Sequence, residues 1–433
     1  MATSNRLIAP FDSTLHYKDG QYLLAERPFG TNIYKLKNPK EPAEGSPAYY
    51  AIKVIPLHGI SRRQPHSARK EIALLSRLIH PNVVRLYSAF YDTISDVYEL
   101  VLEFVDLPLQ FLLDHPHFSA HKFPEFLETA RPGMVAHLFS PAVYYAMTKS
   151  FIYQIISAIC HLHTRSPPIA HRDINPSNIL IRGSGIVKII DFGVAWEPKS
   201  TPLMIVGQDE DVQKSEEHED DMCCQVATGP FRAPELMYSP NLYNAYATDL
   251  WSLGVTIALF FGPLKLEVDH DDEESTDSDS DADEKEDDQQ FSKPTYILPT
   301  RLPGAPFTWK RDVIFDASRG EIGLLWSIFQ VLGTPNNDSW PGFPGNQEGS
   351  AIRFRDAPKQ DISKLLPHLP KEADPLSLIE GFLVYDPESR LSAITALSNS
   401  WFTADGPLLL PRGYPARDDI SGSYTHEING TKV

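Results

Sequence analysis

The sequence predicts an α+β protein with two lobes, a small β-rich lobe followed by a larger, mainly helical one. Two observations carry this expectation. Short segments rich in Tyr, Ile, Leu and Val fill the chain up to about residue 104, and longer segments with an apolar stripe of helical period dominate after it. With 433 residues, of which 42% are apolar, the chain has enough core material for both lobes. The composition therefore excludes a wholly disordered chain.

The first lobe is predicted to hold five strands and one helix. The helix is expected from Ser67 to Ile79, because Ile72, Leu75 and Ile79 share one apolar face and His80-Pro81 ends the pattern. The strands are expected at 21–25, 32–37, 49–56, 83–90 and 97–104.

The second lobe is predicted mainly from its helices. The clearest is 149–163, which places Ile152, Ile155, Ile156, Ile159 and Leu162 on one stripe. Further helices are expected at 248–261, 322–332 and 376–383, and short strands at 179–181 and 187–190.

The formal charge of −18 is concentrated in two acidic stretches. Residues 267–288 hold fourteen carboxylates and one lysine, and residues 208–221 hold eight carboxylates and one lysine, which leaves the rest of the chain at +2. A nearly neutral body offers no basic field, so we expect no nucleic-acid partner. The segments at about 197–222 and 265–293 are interpreted as acidic insertions, and the simplest alternative is a solvated loop without a function of its own.

The cysteines and the apolar runs indicate the compartment. Cys160, Cys223 and Cys224 form neither a disulfide framework nor a zinc-binding spacing, so we expect a reducing environment in the cytoplasm, the nucleus or both. The first residues lack the apolar stretch of a signal peptide. The longest apolar run, 251–264, is interrupted by two glycines and is too short to span a bilayer, so no membrane association is expected.

Several short motifs in a fixed order carry the chemistry. They are Ala51-Ile52-Lys53 on a predicted strand, Glu71 on the predicted helix, His171-Arg172-Asp173 with Asn178, Asp191-Phe192-Gly193, and Ala233-Pro234-Glu235. Any one triplet would be weak evidence, but the ordered set over about residues 20–403 resembles the eukaryotic protein kinase family. The resemblance implies a bilobal kinase fold with an N-lobe at 20–104 and a C-lobe at 105–403, between an N-terminal extension (1–19) and a C-terminal tail (404–433).

The resemblance implies that ATP and Mg²⁺ are the cofactors. Lys53 would hold the α- and β-phosphates, and Glu71 would orient Lys53. Asn178 and Asp191 would supply the hard oxygen ligands that suit Mg²⁺. Around the adenine ring, the ATP-binding residues implied by the family are Ile33, Ala51 and Leu180 as apolar walls, and Glu103 and Val105 through their backbone groups.

The resemblance also implies serine/threonine specificity. Asp173 would orient the substrate hydroxyl and accept its proton. Thr228 stands where kinases of this specificity carry a threonine that braces the catalytic aspartate. Asn175, however, stands where they usually carry a lysine that contacts the transferring phosphate, and losing this charge should slow transfer.

The segments Gly333-Thr334-Pro335-Asn336 and Tyr385-Asp386-Pro387 resemble cyclin-dependent and related kinases. In that group Arg390 is expected to pair with Glu235. The positions of the family's glycine-rich loop are occupied by Glu26, Pro28 and Thr31, a departure that resembles the fungal monomeric kinases that activate cyclin-dependent kinases. This resemblance implies a protein substrate, the activation segment of a cyclin-dependent kinase, in cell-cycle or transcription control, and activity as a monomer without cyclin.

The activation segment departs from the family at the phosphate acceptor. Counting back from Ala233-Pro234-Glu235 places Cys223 where related kinases carry an activating phosphothreonine, so we expect activity that needs no such phosphorylation. Arg172, which would receive the phosphate, is present. Two interpretations stay open: the acidic run is merely solvated, or one or two of its carboxylates contact Arg172 in place of a phosphate. The candidates are Glu216, Glu217, Glu219, Asp220 and Asp221.

Two other functions compete with an active, monomeric kinase. The lost glycines and Asn175 favour a pseudokinase that binds kinase partners as a scaffold. A third hypothesis is a cyclin-bound kinase with other substrates. Residues 65–71 stand where cyclin-dependent kinases carry their cyclin-contacting helix, but the residue types differ, which argues against a cyclin partner. An intact set of Lys53, Glu71, Asp173, Asn178 and Asp191 favours an active enzyme.

Overall fold

A six-stranded antiparallel sheet forms the first lobe in the computed structural model, in the strand order β1-β5-β6-β4-β3-β2. Along β4, alternate side chains point to opposite faces. Tyr50 and Ile52 therefore join an apolar cluster on one face, whereas Ala51 and Lys53 lie on the other. The strands are β1 (Asn5–Pro10), β2 (Leu24–Glu26), β3 (Ile33–Lys37), β4 (Tyr49–Pro56), β5 (Leu86–Asp92) and β6 (Val97–Glu103).

The structure describes a defined part of the chain. It comprises residues 5–10, 24–26, 32–38, 47–57, 65–122, 139–198, 217, 221–238, 240–268, 292–298, 307–343, 354–371, 375–404 and 408–414. The predicted strand start at 21–23, most of the acidic insertions, and Pro28 and Thr31 at glycine-loop positions lie outside it.

The helix of the first lobe is shorter than predicted. Helix α1 (Ala68–Leu75) begins after Ser67, whose hydroxyl accepts a hydrogen bond from the Lys70 amide at 3.3 Å. Because the helix ends at Leu75, Ile79 leaves the helical register, and its side chain is 52% exposed. The expectation that Ile79 shares the buried face was therefore wrong, and the fully buried Leu74 completes that face instead.

The second lobe is mainly helical, as expected. The stripe predicted from Ile152 to Leu162 is fully buried in the main core, on a helix that starts earlier than predicted, after the capping residue Ser140. The helices are α2 (Leu109–Asp114), α3 (Pro141–Thr164), α4 (Ala245–Phe261), α5 (Gly320–Leu332), α6 (Leu376–Phe382), α7 (Ala393–Ala396) and α8 (Trp401–Ala404). In the described part of the chain, no helix combines the length and apolarity needed to cross a bilayer.

Two small sheets complete the second lobe. One joins β7 (Leu107–Pro108), β8 (Ile179–Ile181) and β9 (Val187–Ile189), which frame the segments that carry Asn178 and Asp191. The other, in the order β11-β10-β12, joins β10 (Leu264–Val268), β11 (Tyr296–Ile297) and β12 (Phe307–Arg311).

The boundaries of the extensions differ from those predicted. Strand β1, inside the N-terminal extension expected at 1–19, pairs with β5 and is the outer strand of the first lobe's sheet. At the other end, Leu408, Leu410 and Tyr414 pack on the main core, and the Tyr414 hydroxyl donates a hydrogen bond to the buried Asn82. Parts of both extensions therefore belong to the folded body.

Both ends of the acidic insertion expected at 265–293 make contacts with the folded body. Residues 265–268 belong to β10, and the Lys293 amide donates a hydrogen bond of 2.8 Å to the Lys364 carbonyl. The Lys293 ammonium also contacts Asp312 at 2.6 Å. The acidic stretch that can be removed without touching these contacts is therefore narrower than the sequence indicates.

We expect deletion of residues 270–290, bridged by a short Gly-Ser linker, to leave kinase activity and the melting temperature nearly unchanged. The sequence of this stretch predicts a solvated loop, and changing the length of such a loop costs little free energy, about 0.6 kcal/mol per doubling. Thermal unfolding and turnover number are the measurements. A deletion of 265–293, which also removes most of β10 and Lys293, is the matched control and should lower the melting temperature. Loss of soluble expression in the shorter deletion would contradict the prediction.

Two stacked histidines lie at the junction of the lobes. The rings of His80 and His161 are 4.6 Å apart and nearly parallel. Burial, with the neighbouring His161 and Lys188, lowers the pKa of His80 to about 3. Burial, with Arg165 nearby, lowers the pKa of His161 to about 4. Both rings are therefore neutral in the folded protein at neutral pH.

This pair predicts a loss of stability in mild acid. In the unfolded chain both histidines bind protons near pH 6.5, whereas in the folded chain they resist protonation until about pH 3 to 4. The contribution of this pair to the free energy of unfolding is therefore fully present above pH 6.5. Below that pH the free energy of unfolding decreases by at most about 1.4 kcal/mol per pH unit for each histidine. Urea unfolding between pH 7.5 and 5 measures the slope. His161→Gln should make it shallower, and an unchanged slope would contradict the assignment.

Candidate active site

Three charged side chains meet where the two lobes face each other. The Lys53 ammonium, on β4, lies 2.8 and 2.9 Å from the two carboxylate oxygens of Glu71 on α1. It also lies 2.8 Å from Asp191 Oδ1, in the segment after β9. The structure thus brings together three residues that the motifs predict to act together, across as many as 138 positions of sequence.

The three charges set one another's protonation. Burial alone would lower the pKa of Lys53, but the carboxylates of Glu71 and Asp191 outweigh it and raise that pKa. Burial raises the pKa of Glu71, and the charge of Lys53 opposes this rise. For Asp191 burial acts upward, yet Lys53 holds the pKa below its usual value. At neutral pH the site therefore presents an ionised Asp191 beside a protonated Lys53.

The carboxylate of Asp173 accepts hydrogen bonds from three side chains. The Asn178 amide donates to Oδ2 at 2.7 Å, and the Thr228 hydroxyl donates to Oδ1 at 2.7 Å. The Asn175 amide also donates to Oδ1, at 3.0 Å. Each of these three side chains is a donor, so the carboxylate is held as an acceptor, which is what a base or a hydroxyl-orienting group requires.

Asn175 organises the loop on which this site is built. Its Oδ1 accepts hydrogen bonds from the backbone amides of Ser177 and Asn178, and its side chain is buried. These bonds cap the short 3₁₀ turn of Pro176–Asn178. At the position where the family usually carries a lysine, the chain therefore gains a local cap and lacks a positive charge.

A buried aspartate that the sequence analysis missed binds the backbone of the loop that carries Asp173 (residues 171–178, here called the catalytic loop). Asp249, on α4, accepts hydrogen bonds from the backbone amides of His171 and Arg172 at 2.7 and 2.6 Å, and contacts His163 at 2.9 Å. The tight loop includes Arg172 at φ 63°. A single carboxylate within the strongly apolar segment 245–261 is the signal that could have identified it, because buried charges are rarely without partners.

Asn178 and Asp191, the residues expected to hold Mg²⁺, carry side-chain oxygens of the kind that this ion prefers. The amide nitrogen of Asn178 is committed to Asp173, which leaves its oxygen as the atom able to ligate a metal. In the described residues no cluster of three or more His, Cys, Asp or Glu side chains suits a metal ion. A Mg²⁺ ion held by Asn178 and Asp191 would therefore complete its oxygen shell with phosphate and water.

The residues predicted around adenine come from both lobes. Ile33 and Ala51 lie on the adjacent strands β3 and β4, and Leu180 lies on β8; all three are half-buried.

Glu103 ends β6, and its amide already donates to the Arg85 carbonyl at 2.9 Å, so of its backbone groups only the carbonyl can serve a ligand. Its buried carboxylate contacts Arg182 at 2.5 Å and Lys188 at 2.9 Å. Val105, two residues on, is buried.

The expected pair of Arg390 and Glu235 is present in the second lobe. The two guanidinium nitrogens of Arg390 lie 2.6 and 2.7 Å from the two oxygens of Glu235, and Arg390 also donates to the carbonyl of Ala247. This buried pair ties the end of the segment containing Thr228 to the helical core, so it has a structural role at a distance from the reacting groups.

Comparisons with known proteins agree with this geometry. The protein kinase domain family matches residues 43–402. Serine/threonine-protein kinase SSN3 of Mycosarcoma maydis is 28% identical over 381 residues, which are 87% of this chain and 41% of that protein. The chain thus spans about two fifths of the length of this curated relative. A chain of the yeast RNA Pol II CTD kinase CTDK-1 complex superposes with a TM-score of 0.57 at 21% identity, covering 92% of this chain and 97% of that one.

Proposed function

The chain belongs to the protein kinase domain family, and on that premise we propose that it is an ATP-dependent serine/threonine kinase of the cyclin-dependent-kinase-like type, whose substrate is the activation segment of a cyclin-dependent kinase. The observation that carries the catalytic part is the joint presence of the Lys53 contacts to Glu71 and Asp191 and the three donors on Asp173. These contacts place a fixed positive charge and a hydrogen-bond acceptor as phosphoryl transfer requires, which favours catalysis over a scaffold.

The chain's own residues account for the chemistry. Bound ATP would supply the phosphoryl group, and Mg²⁺ would offset its charge. Asp173 accepts a hydrogen bond from the substrate hydroxyl and takes up its proton as that oxygen bonds to the γ-phosphorus of ATP. The bond from this phosphorus to the bridging oxygen breaks at the same time, and ADP leaves with the electron pair. Lys53, fixed between two carboxylates, presents its charge at one place without reorganisation during the reaction.

Serine/threonine specificity is supported by Thr228. Its hydroxyl contacts the same Asp173 oxygen that Asn175 contacts, so the segment that would bear the peptide substrate is attached directly to the base. Because Asn175 adds no positive charge near the phosphate, we propose an enzyme slower than relatives that keep a lysine there.

Activity without a cyclin is supported by helix α1. Its apolar side chains Ile72, Leu74 and Leu75 are buried within the chain itself. Arg69 of this helix donates to the Tyr98 hydroxyl at 2.6 Å, and Arg77, two residues beyond the helix, contacts Glu197 at 2.6 Å. The helix thus holds Glu71 against Lys53 by contacts within one chain.

The proposed function can be tested with the purified chain alone. Mg-ATP and an unphosphorylated cyclin-dependent kinase should give phosphate incorporation into the activation-segment threonine, and the substrate's Thr→Ala variant is the control. Transfer only to generic peptides would refute the proposed substrate and leave the kinase. Nucleotide binding without any transfer would instead establish the pseudokinase, and activity only after adding a cyclin would refute the monomeric enzyme.

The glycine-loop substitutions predict weak ATP binding. Glu26, Pro28 and Thr31 replace residues whose lack of a side chain lets the backbone approach the phosphates, so we expect a high KM for ATP. Replacing the three with glycine should lower this KM while Mg²⁺ remains required through Asn178 and Asp191. Steady-state kinetics and nucleotide titration are the measurements. Tight binding by the unaltered protein that depends on this loop would contradict the prediction.

A further inference from the structure

We propose that Glu217 is a positioning residue that takes the place of an activation-segment phosphate and couples three elements of the site whose kinase function is proposed above. Its carboxylate binds Arg172 through both oxygens, at 2.9 Å from Nη1 to Oε1 and 2.6 Å from Nη2 to Oε2. Oε1 also accepts a hydrogen bond from the Cys223 amide at 2.8 Å, and Oε2 lies 3.5 Å from the Lys70 ammonium.

Two partners of Glu217 are sequence neighbours of predicted catalytic residues, and the third begins the stretch that leads to one. Lys70 precedes Glu71 on α1, and Arg172 precedes Asp173 in the catalytic loop. Cys223 begins the stretch that leads to Thr228, which itself contacts Asp173. One carboxylate therefore connects the helix that orients Lys53, the loop that carries the base, and the segment expected to bear the substrate.

Burial and charge make this a strong contact. Glu217 is 8% exposed and Arg172 is 1% exposed. Burial alone would raise the pKa of Glu217, but the hydrogen bonds and charge of Arg172 outweigh it and hold that pKa below its usual value. Hydrogen bonds between charged groups are roughly twice as strong as neutral ones, and salt screens a buried pair much less than an exposed one.

The contact decides between the two interpretations of the acidic run. Of its five candidate residues, Glu217 contacts Arg172, and Asp221 is exposed. Glu216, Glu219 and Asp220 lie outside the described residues. Cys223 occupies the position of the usual phosphate acceptor and donates its amide to Glu217. In related kinases the arginine at this position binds a phosphate. In this chain the Glu217 carboxylate takes the place of that phosphate, and no phosphatase can remove it.

The first experiment compares phosphatase-treated and untreated protein with Glu217→Gln and Asp221→Asn. The treated protein should keep its full rate, and Asp221→Asn, an exposed carboxylate of the same run, should behave like the unaltered chain. Glu217→Gln keeps the shape and loses the charge, so its kcat should fall 10- to 100-fold. Unaltered kcat in a folded Glu217→Gln protein, or loss of most activity after phosphatase treatment, would overturn the proposal.

A second experiment separates positioning from a merely structural role. In Glu217→Ala the cavity beside Arg172 and Lys70 should admit a small anion, so added acetate or inorganic phosphate should restore part of kcat, whereas chloride should not. Absence of rescue in a protein that is folded by circular dichroism would count against the proposal.

A third measurement does not depend on catalysis. Hydrogen exchange of residues 221–231 should be faster in Glu217→Gln than in the unaltered chain, because the Cys223 amide loses its charged acceptor. If the unaltered chain transfers no phosphate to any substrate, the proposed function fails while this comparison still tests Glu217. Equal protection in the two proteins would overturn the coupling even in an active enzyme.

Discussion

Replacing Asp173 with Asn will reduce phosphoryl transfer by at least about 10³-fold, since both base catalysis and positioning of the hydroxyl depend on this carboxylate. The three side chains that contact it in the described part of the chain are all donors. An amide nitrogen placed at either oxygen position would therefore face another donor, so the new side chain cannot keep the old geometry. The substitution does not change the Lys53 contacts to Glu71 and Asp191, so nucleotide binding should persist.

The measurement for Asp173→Asn is kcat, with circular dichroism and nucleotide titration to verify folding and binding. Asp106→Asn is a suitable control, because Asp106 is an exposed carboxylate beside the segment that joins the lobes. It should retain the rate of the unaltered protein. Turnover by Asp173→Asn at the unaltered rate would exclude Asp173 as the base.

Replacing Lys53 with Met will lower kcat/KM by about 10³-fold while the protein stays folded. Methionine has a similar length but removes the charge that is 2.8 Å from both Glu71 and Asp191. Loss of a preorganised charge of this kind costs about 3 to 4 kcal/mol in the transition state. Burial already raises the pKa of Glu71, so without Lys53 this carboxyl can bind a proton instead of remaining as an unpaired buried charge.

Kinetics and thermal unfolding of Lys53→Met, measured side by side, test this expectation. Lys53→Arg is the informative companion, because it keeps a charge but spreads it over a planar group that does not fit the point between two carboxylates. Compared with Lys53→Met, Lys53→Arg should restore the melting temperature more fully than it restores kcat/KM. Collapse of the fold in Lys53→Met would show that the pair is chiefly structural.

The motif residues could be predicted because their spacing within each short segment is fixed by local geometry. Residues 171–178 make one loop and 3₁₀ turn, and 187–193 run from a strand into the segment carrying Asp191. Lys53, Glu71 and Asp191 could be grouped only through the family resemblance, since 138 positions separate the outer two. The structure then supplies the contacts.

Other features could not be predicted from the sequence, and the reasons are physical. Asp249 contacts the catalytic loop across 77 and 78 positions, and a single carboxylate in a helix has no periodic signature. The end of α1 at Leu75 depends on local turns that compete with an apolar pattern continuing to Ile79. The choice of Glu217 among neighbouring carboxylates depends on the path of the chain back to Arg172, which spacing does not determine.

The strand β1 and the C-terminal segment 408–414 affect how fragments of this protein should be made. Five positions of β1 pair with the edge of β5, and the family match of 43–402 contains neither β1 nor residues 408–414. A fragment cut to that match would uncover a row of unpaired backbone groups on β5, the kind of edge through which chains stick together. It would also remove the hydroxyl that binds Asn82. For this chain the bounds of the family match are therefore narrower than the bounds of the folded body.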